Sequence, residues 1–301
     1  MRSRFPKPAA PMGEAWFMGE KRKIFDDLMT NSVAALPVKY LFDCLWEITG
    51  GLVCFGNEDS WIEWFRYLLP DLILRAHEQH TDYLLEATVT AFMAVFPQGL
   101  DTEYRGLQQD IRDTLSVSLM KPDFWTPHEE FPHDPSKRLP RFLLEESQGK
   151  LFVDYYGFTK ASPELSAALH FCLKYLTTAD IPSWVDSILQ IEHSQWRAGL
   201  LVWLLGAKQL LLSEPWTPAA IEKRRPEIKW ANSHWLDQHW RAQGRDQFIS
   251  SANVETFVRE FRSRFKPVTL DQWELQLIDD RRLSDLPGFD QLMEQIRSMI
   301  A

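Results

Sequence analysis

Little in this chain of 301 residues marks it as an enzyme of a common class. Its three cysteines, Cys44, Cys54 and Cys172, form no close pair at metal-ligand spacing, which excludes a disulfide-dense scaffold and a sequence-local zinc site. They read as small buried hydrophobes in a reducing compartment, so the expected location is cytoplasmic. Thirteen glycines, mostly isolated, leave no glycine-rich phosphate loop, and there is no G-x-S-x-G elbow and no papain-like cysteine environment. No cofactor is expected. The longest apolar run, Ala198 to Ala207, stops at Lys208, well short of the roughly 20 residues a bilayer span needs. The N-terminal stretch holds Pro6, Pro8 and Pro11 among Arg2, Arg4 and Lys7, and no apolar core of secretory length follows, so neither membrane insertion nor a signal peptide is expected.

What the chain has in excess is negative charge and aromatic surface. With 42 acidic against 33 basic side chains the formal charge is −9, which repels a polyanion at long range and favours a partner with a basic surface. Nucleic acid is disfavoured as a global ligand. Thirteen Trp and nineteen Phe, each burying on the order of 150–250 Å², predict an aromatic core or interface.

Helical periodicity dominates, and no segment alternates apolar and polar residues beside hairpin turns, so the fold class is all-α. Helices are expected over Glu14–Thr30, from Pro37 to about Thr49, where Gly50-Gly51 weakens or ends the helix, and from Asp59-Ser60, with Pro70 as a kink or break. Further helices are expected from Thr81 to Phe96, over Asp101–Leu119, and again after Ser162-Pro163-Glu164. Pro122, Pro127, Pro132, Pro135 and Pro140 block helix continuation over 121–140, and Phe124, Trp125 and Phe131 suit a long ordered loop packed on the helices. Arg262, Arg264 and Lys266 close a helix at its negative dipole end, and two closing helices are expected after Thr269. Three regions follow: 1–120 and 161–301 helical, joined by a Pro-rich connector at 121–160, with one continuous domain as the alternative.

Two stretches open alike, Ser60-Trp61-Ile62-Glu63 and Ser183-Trp184-Val185-Asp186. In the first, Leu68-Leu69-Pro70-Asp71-Leu72 is followed by the small-residue-rich Glu86-Ala87-Thr88-Val89-Thr90-Ala91-Phe92. In the second, Ile181-Pro182-Ser183-Trp184-Val185 is followed by Trp196-Arg197-Ala198-Gly199-Leu200-Leu201. Over about a third of the chain this resembles HEAT-type helical repeats, which implies an irregular stack of antiparallel helical hairpins. The resemblance also implies close helix approach at the small residues and a bond from Arg197 to the inter-helix turn.

The most distinctive local chemistry is Lys223, Arg224, Arg225 and then Trp230, His234, Trp235, His239, Trp240 and Arg241. Between Lys223 and Arg245 six basic side chains (with Lys229 and Arg245) meet two acidic ones (Glu227, Asp237), a local excess of +4. Tryptophans five residues apart step by about 140° on a helix and cannot form one stacking platform, so some of them belong to the core. His77-Glu78-Gln79-His80 and the cluster from His128 to Asp134 lack the H-E-x-x-H spacing of a zinc helix and read as solvated charge.

The expected function is a non-enzymatic protein-binding module, toxin-neutralising (immunity-like) or effector-sequestering, that meets its partner through the nine residues of that patch. The alternative is a helical hydrolase or nucleic-acid-processing enzyme using the basic, aromatic stretch 223–245. Self-association is a third possibility.

Overall fold

A computed structural model describes residues 2–16, 24–55, 59–75, 84–99, 104, 106–111, 113, 146–147, 150–151, 163–192, 194–212, 216–218, 228, 230, 236, 248–284 and 288–300. The chain divides into two compact units, Met1–Leu115 with Ala231–Arg245, and Ser116–Trp230 with Asp246–Ala301. The return of 231–245 to the first unit is a spatial event that patterning along the chain does not reveal. The Pro-rich stretch 121–140 and both His-carboxylate clusters lie outside the described residues.

In the first unit, helices α1 (Asp27–Thr30), α2 (Val38–Phe55), α3 (Asp59–Arg75), α4 (Leu84–Val95) and α5 (Leu107–Ile111) follow a two-residue antiparallel ladder. In that ladder β1 (Met12–Gly13) faces β2 (Ile24–Phe25), Met12 opposite Phe25. Among the described residues, the helix expected over Glu14–Thr30 is helical only in its last turn. Its backbone groups are spent elsewhere: Ala15 N donates to Glu47 Oε2 at 2.6 Å, and the Gly13 carbonyl accepts from Trp61 Nε1 at 3.2 Å.

Helix α2 also runs through Gly50-Gly51 rather than ending there. A Cβ on Gly51 would lie 2.7 Å from the Trp61 ring, so the missing side chain is what lets α3 approach. Pro70 likewise sits inside α3, its missing amide outweighed by the burial of Leu68, Leu69, Leu72 and Ile73 around it. Helices α2, α3 and α4 pack mutually, and every residue of α4 from Leu84 to Ala94 is buried.

The second unit begins with a two-residue ladder, β3 (Glu146–Ser147) against β4 (Lys150–Leu151). Its helices are α6 (Pro163–Tyr175), α7 (Ile181–Gln190), α8 (Ser194–Leu212), α9 (Ser251–Arg264), α10 (Pro267–Asp279), α11 (Arg281–Ser284) and α12 (Phe289–Ile300). The apolar run from Ala198 lies in α8 and is a core helix covered by α9, α10 and α12, while α7 packs on α9. Among the described residues no helix is long and apolar enough to cross a membrane. Cys44 and Cys172 are buried and Cys54 is half-buried, all as free thiols.

Candidate functional site

Of the nine patch residues, only Trp230 is described. It is 1% exposed, its ring 4.9 Å from that of His170, so it is an interior residue that offers no surface to a partner. Lys223, Arg224, Arg225, His234, Trp235, His239, Trp240 and Arg241 lie outside the described residues. Trp230 leads instead to a centre that patterning did not single out.

Helix α6 is apolar along most of its length, and His170 is fully buried within it. Its ring is enclosed by Trp203 of α8 at 5.6 Å, Trp216 at 5.0 Å and Trp230, and Trp203 and Trp216 stack at 6.3 Å and 25°. All four rings belong to the second unit.

The hydrogen bonds fix the state of the imidazole. His170 Nδ1 lies 2.6 Å from the carbonyl oxygen of Ser166 one turn earlier, and a carbonyl only accepts, so Nδ1 carries the hydrogen. The Ser166 hydroxyl donates to the Ile228 carbonyl, anchoring that residue to α6. Burial pushes the His170 pKa down to about 4, against the opposing bond to Ser166, and at neutral pH the ring is uncharged with a bare lone pair on Nε2.

That lone pair has no hydrogen-bond partner among the described residues, nor do the Nε1–H groups of Trp203 and Trp216. Each such buried group costs about 1–3 kcal/mol when left unpaired. One acceptor and two donors are therefore carried by three mutually adjacent buried rings.

The surrounding contacts pin several chain segments to α6. Phe248 N donates to the Trp216 carbonyl at 2.6 Å, and Lys174 Nζ donates to the Phe248 carbonyl at 2.7 Å while lying 4.3 Å from that ring. Asn253 of α9 donates from Nδ2 to the Leu173 and Leu176 carbonyls at 2.8 and 2.9 Å, closing the C-terminal end of α6. Trp216, Ile228, Trp230 and Phe248 are all buried, and the basic run Lys223-Arg224-Arg225 falls between the first two in sequence.

Elsewhere in the unit, Arg197 Nε donates to the Ile191 carbonyl in the turn between α7 and α8 at 3.1 Å, and its guanidinium lies 5.0 Å from the Trp273 ring. Burial lowers the Arg197 pKa. Arg264, expected to serve the helix dipole, also bonds Asp186 of α7 and Glu260. The Asp186 bond first, then the Glu260 bond, raises its pKa. No group of three or more His, Cys, Asp or Glu placed to hold a metal ion occurs among the described residues.

On the outside of the unit, α10 has a second apolar side. Leu270, Trp273 and Leu277 are buried, whereas Val268, Leu275 and Ile278 are 62%, 65% and 47% exposed. Spacings of seven and three residues put those three on one face, together with the exposed Asp271 and Asp279.

Comparison with known proteins adds no relative: no protein family, curated protein or solved structure matches this chain.

Proposed function

We propose that the chain is a non-enzymatic, protein-binding module built as an irregular HEAT-like stack, and that it docks a basic protein, in the manner of an immunity or effector-sequestering protein. The observation that carries this reading is the outer face of α10. A helix that buries one apolar side and exposes a second, with Asp271 and Asp279 on the exposed one, suits a partner offering apolar contact ringed by cations. The chain's formal charge of −9 acts in the same direction at longer range. The stack is supported by α4 and α8, each following a Ser-Trp helix, and by the Arg197 bond into the α7–α8 turn.

A second candidate is the basic sequence stretch 223–241, most of which lies outside the described residues. Recovery of partners from native extract with the wild-type chain, Leu275→Asp and Arg224→Ala/Arg225→Ala separates the two. A stoichiometric, net-cationic protein that salt releases and Leu275→Asp abolishes supports docking on α10. Loss only with the arginine pair moves the site to 223–241. Absence of a stoichiometric protein partner, or salt-sensitive oligonucleotide binding lost with the arginine pair, overturns the proposal, as does self-association abolished by Leu275→Asp.

A further inference from the structure

The segment from Arg2 to Gly13 meets α3 in reverse order. Trp61 Nε1 donates to the Gly13 carbonyl at 3.2 Å and, one turn on, Trp64 Nε1 donates to the Ala10 carbonyl at 3.0 Å. Lys7 Nζ lies 5.9 Å from the Tyr67 ring and donates to the Met29 carbonyl at 2.8 Å, and Arg2 pairs with Asp71. Positions 61, 64, 67 and 71 fall on one side of the helix. Phe5 is buried with its ring 5.7 Å from that of Tyr104, and the Arg4 guanidinium lies 5.7 Å from the same tyrosine.

The two ends of this segment are held differently. Met12 and Gly13 are fixed in the β1–β2 ladder. Pro6, Pro8 and Pro11 bring no amide donor, and among the described residues the backbone of 5–11 makes no hydrogen bond to other backbone groups. Phe5 is the one buried side chain of residues 2–11, Arg2 and Lys7 are exposed, and both cation–ring contacts lie near the outer limit of that interaction. A strap with one aromatic anchor and weak, exposed polar contacts behaves as a ligand tethered beside its own seat.

We propose that Trp64, Tyr67, Asp71 and Tyr104 form a docking seat for an extended basic segment of another protein, and that residues 2–11 occupy it as a displaceable self-ligand. The self-ligand displays the chemistry required: cations at positions 2, 4 and 7 around an aromatic anchor at 5, with no acidic residue from Met1 to Gly13 in a chain of net charge −9. A partner of that pattern gains the same indole bond, the same carboxylate and the same two tyrosine faces. The seat belongs to the first unit, and its test does not involve α10 in the second.

The probe is a fluorescent peptide with the sequence of residues 2–11, titrated into the full chain and read by anisotropy. In the wild-type chain the tethered strap competes at an effective concentration in the millimolar range, so the peptide binds weakly. Phe5→Asp in the chain withdraws the anchor and should tighten peptide binding by about tenfold or more. Arg2→Ala/Lys7→Ala, at exposed positions, should tighten it by a smaller factor and carries the test if Phe5→Asp does not fold. Adding Asp71→Asn to either released chain should weaken the peptide, most clearly at low salt, and a peptide carrying Phe5→Ala should not compete. No binding to either released chain, or the same affinity in them as in wild type, overturns the proposal, because the strap would then not fill the seat that the peptide uses. Binding indifferent to the peptide's phenylalanine overturns it as well. Concentration-dependent dimerisation of the wild-type chain, abolished by Phe5→Asp, would overturn the assignment to another protein, since the occupant would be the strap of a second copy.

Discussion

The two units open a helix on the same dipeptide, yet they use its tryptophan differently. Trp61, in the first turn of α3, meets partners that precede it in the chain: Gly51 of the neighbouring helix and, 48 residues earlier, the Gly13 carbonyl. Trp184, in the first turn of α7, lies tilted 5.3 Å from Phe257, on a helix that begins more than sixty residues later. Each Ser-Trp helix is followed by a helix with apolar residues buried on all sides, α4 in one unit and α8 in the other. The local signal thus specifies a buried tryptophan at a helix start. What covers that tryptophan is decided by tertiary topology, early in the chain for one unit and late for the other.

The sharpest way to break the comparison is to remove each ring. Trp61→Ala and Trp184→Ala should each cost about 3–5 kcal/mol, the usual range for emptying a large aromatic site. The location of the damage should differ. Hydrogen exchange read by mass spectrometry should show lost protection in α2, α3 and the 12–15 segment for Trp61→Ala, and in α7 and α9 for Trp184→Ala. Lost protection in α2 and α3 with Trp184→Ala would contradict the division between cover from preceding chain and cover from following chain.

A second contrast is acid sensitivity. No described residue of the first unit is a histidine, whereas the second buries His170 uncharged. Its folded pKa of about 4 lies below the ~6.5 of an unfolded histidine, so the unfolded chain binds the extra proton as pH falls. The contribution is complete above about pH 6.5 and declines from there to about pH 4, where roughly 3 kcal/mol has gone. Urea titrations at pH 7, 5.5 and 4.5, with cleavage sites mapped by pulse proteolysis, should show the second unit losing stability first. His170→Gln should start lower and be flatter over the same interval; an unchanged slope would remove His170 as the cause.

Non-local dependence also predicts the behaviour of Asn253. Its amide closes the carbonyls of Leu173 in α6 and Leu176 just past its end, and its Oδ1 accepts from Thr178 Oγ1 at 2.9 Å, all while 5% exposed. Asn253→Ala should cost about 2 kcal/mol, since buried carbonyls are left without donors. The exchange increase should appear at the C-terminal turn of α6, some eighty residues away, more than in α9 itself.

Much of this frame was legible from residues alone, and the failures have physical causes. The starts of α3 and α6 followed from Asp59 and Pro163, because first-turn preferences act within a few residues. The described start of the helix expected at 14–30 is not helical because Gly13 and Ala15 give their backbone groups to Trp61 and Glu47, partners that no local window contains. Gly50-Gly51 and Pro70 failed as stops because packing outweighs a propensity penalty of about 1–3 kcal/mol. His170 carried only a faint signal, a lone histidine four residues after a serine on an otherwise apolar helix. The tryptophans that make it a centre come from positions 203, 216 and 230, and only folding brings them together.

The smallest effect tests the close approach that distinguishes the first unit. Gly51→Ala gains about 1 kcal/mol from helix propensity and loses about 1–3 kcal/mol from overpacking. The clash partner decides the sign. Trp61 is held by its bond to the Gly13 carbonyl and is 2% exposed, so its ring cannot swing away, and a net loss of about 1 kcal/mol is expected. In a Trp61→Leu background the obstructing ring is gone, and the same alanine should become neutral or stabilising. A double-mutant cycle measured by urea unfolding reads this reversal as coupling between the two positions. Additive effects would mean that α2 and α3 are held apart by something other than this ring, and Gly51 would then owe its place to backbone conformation alone.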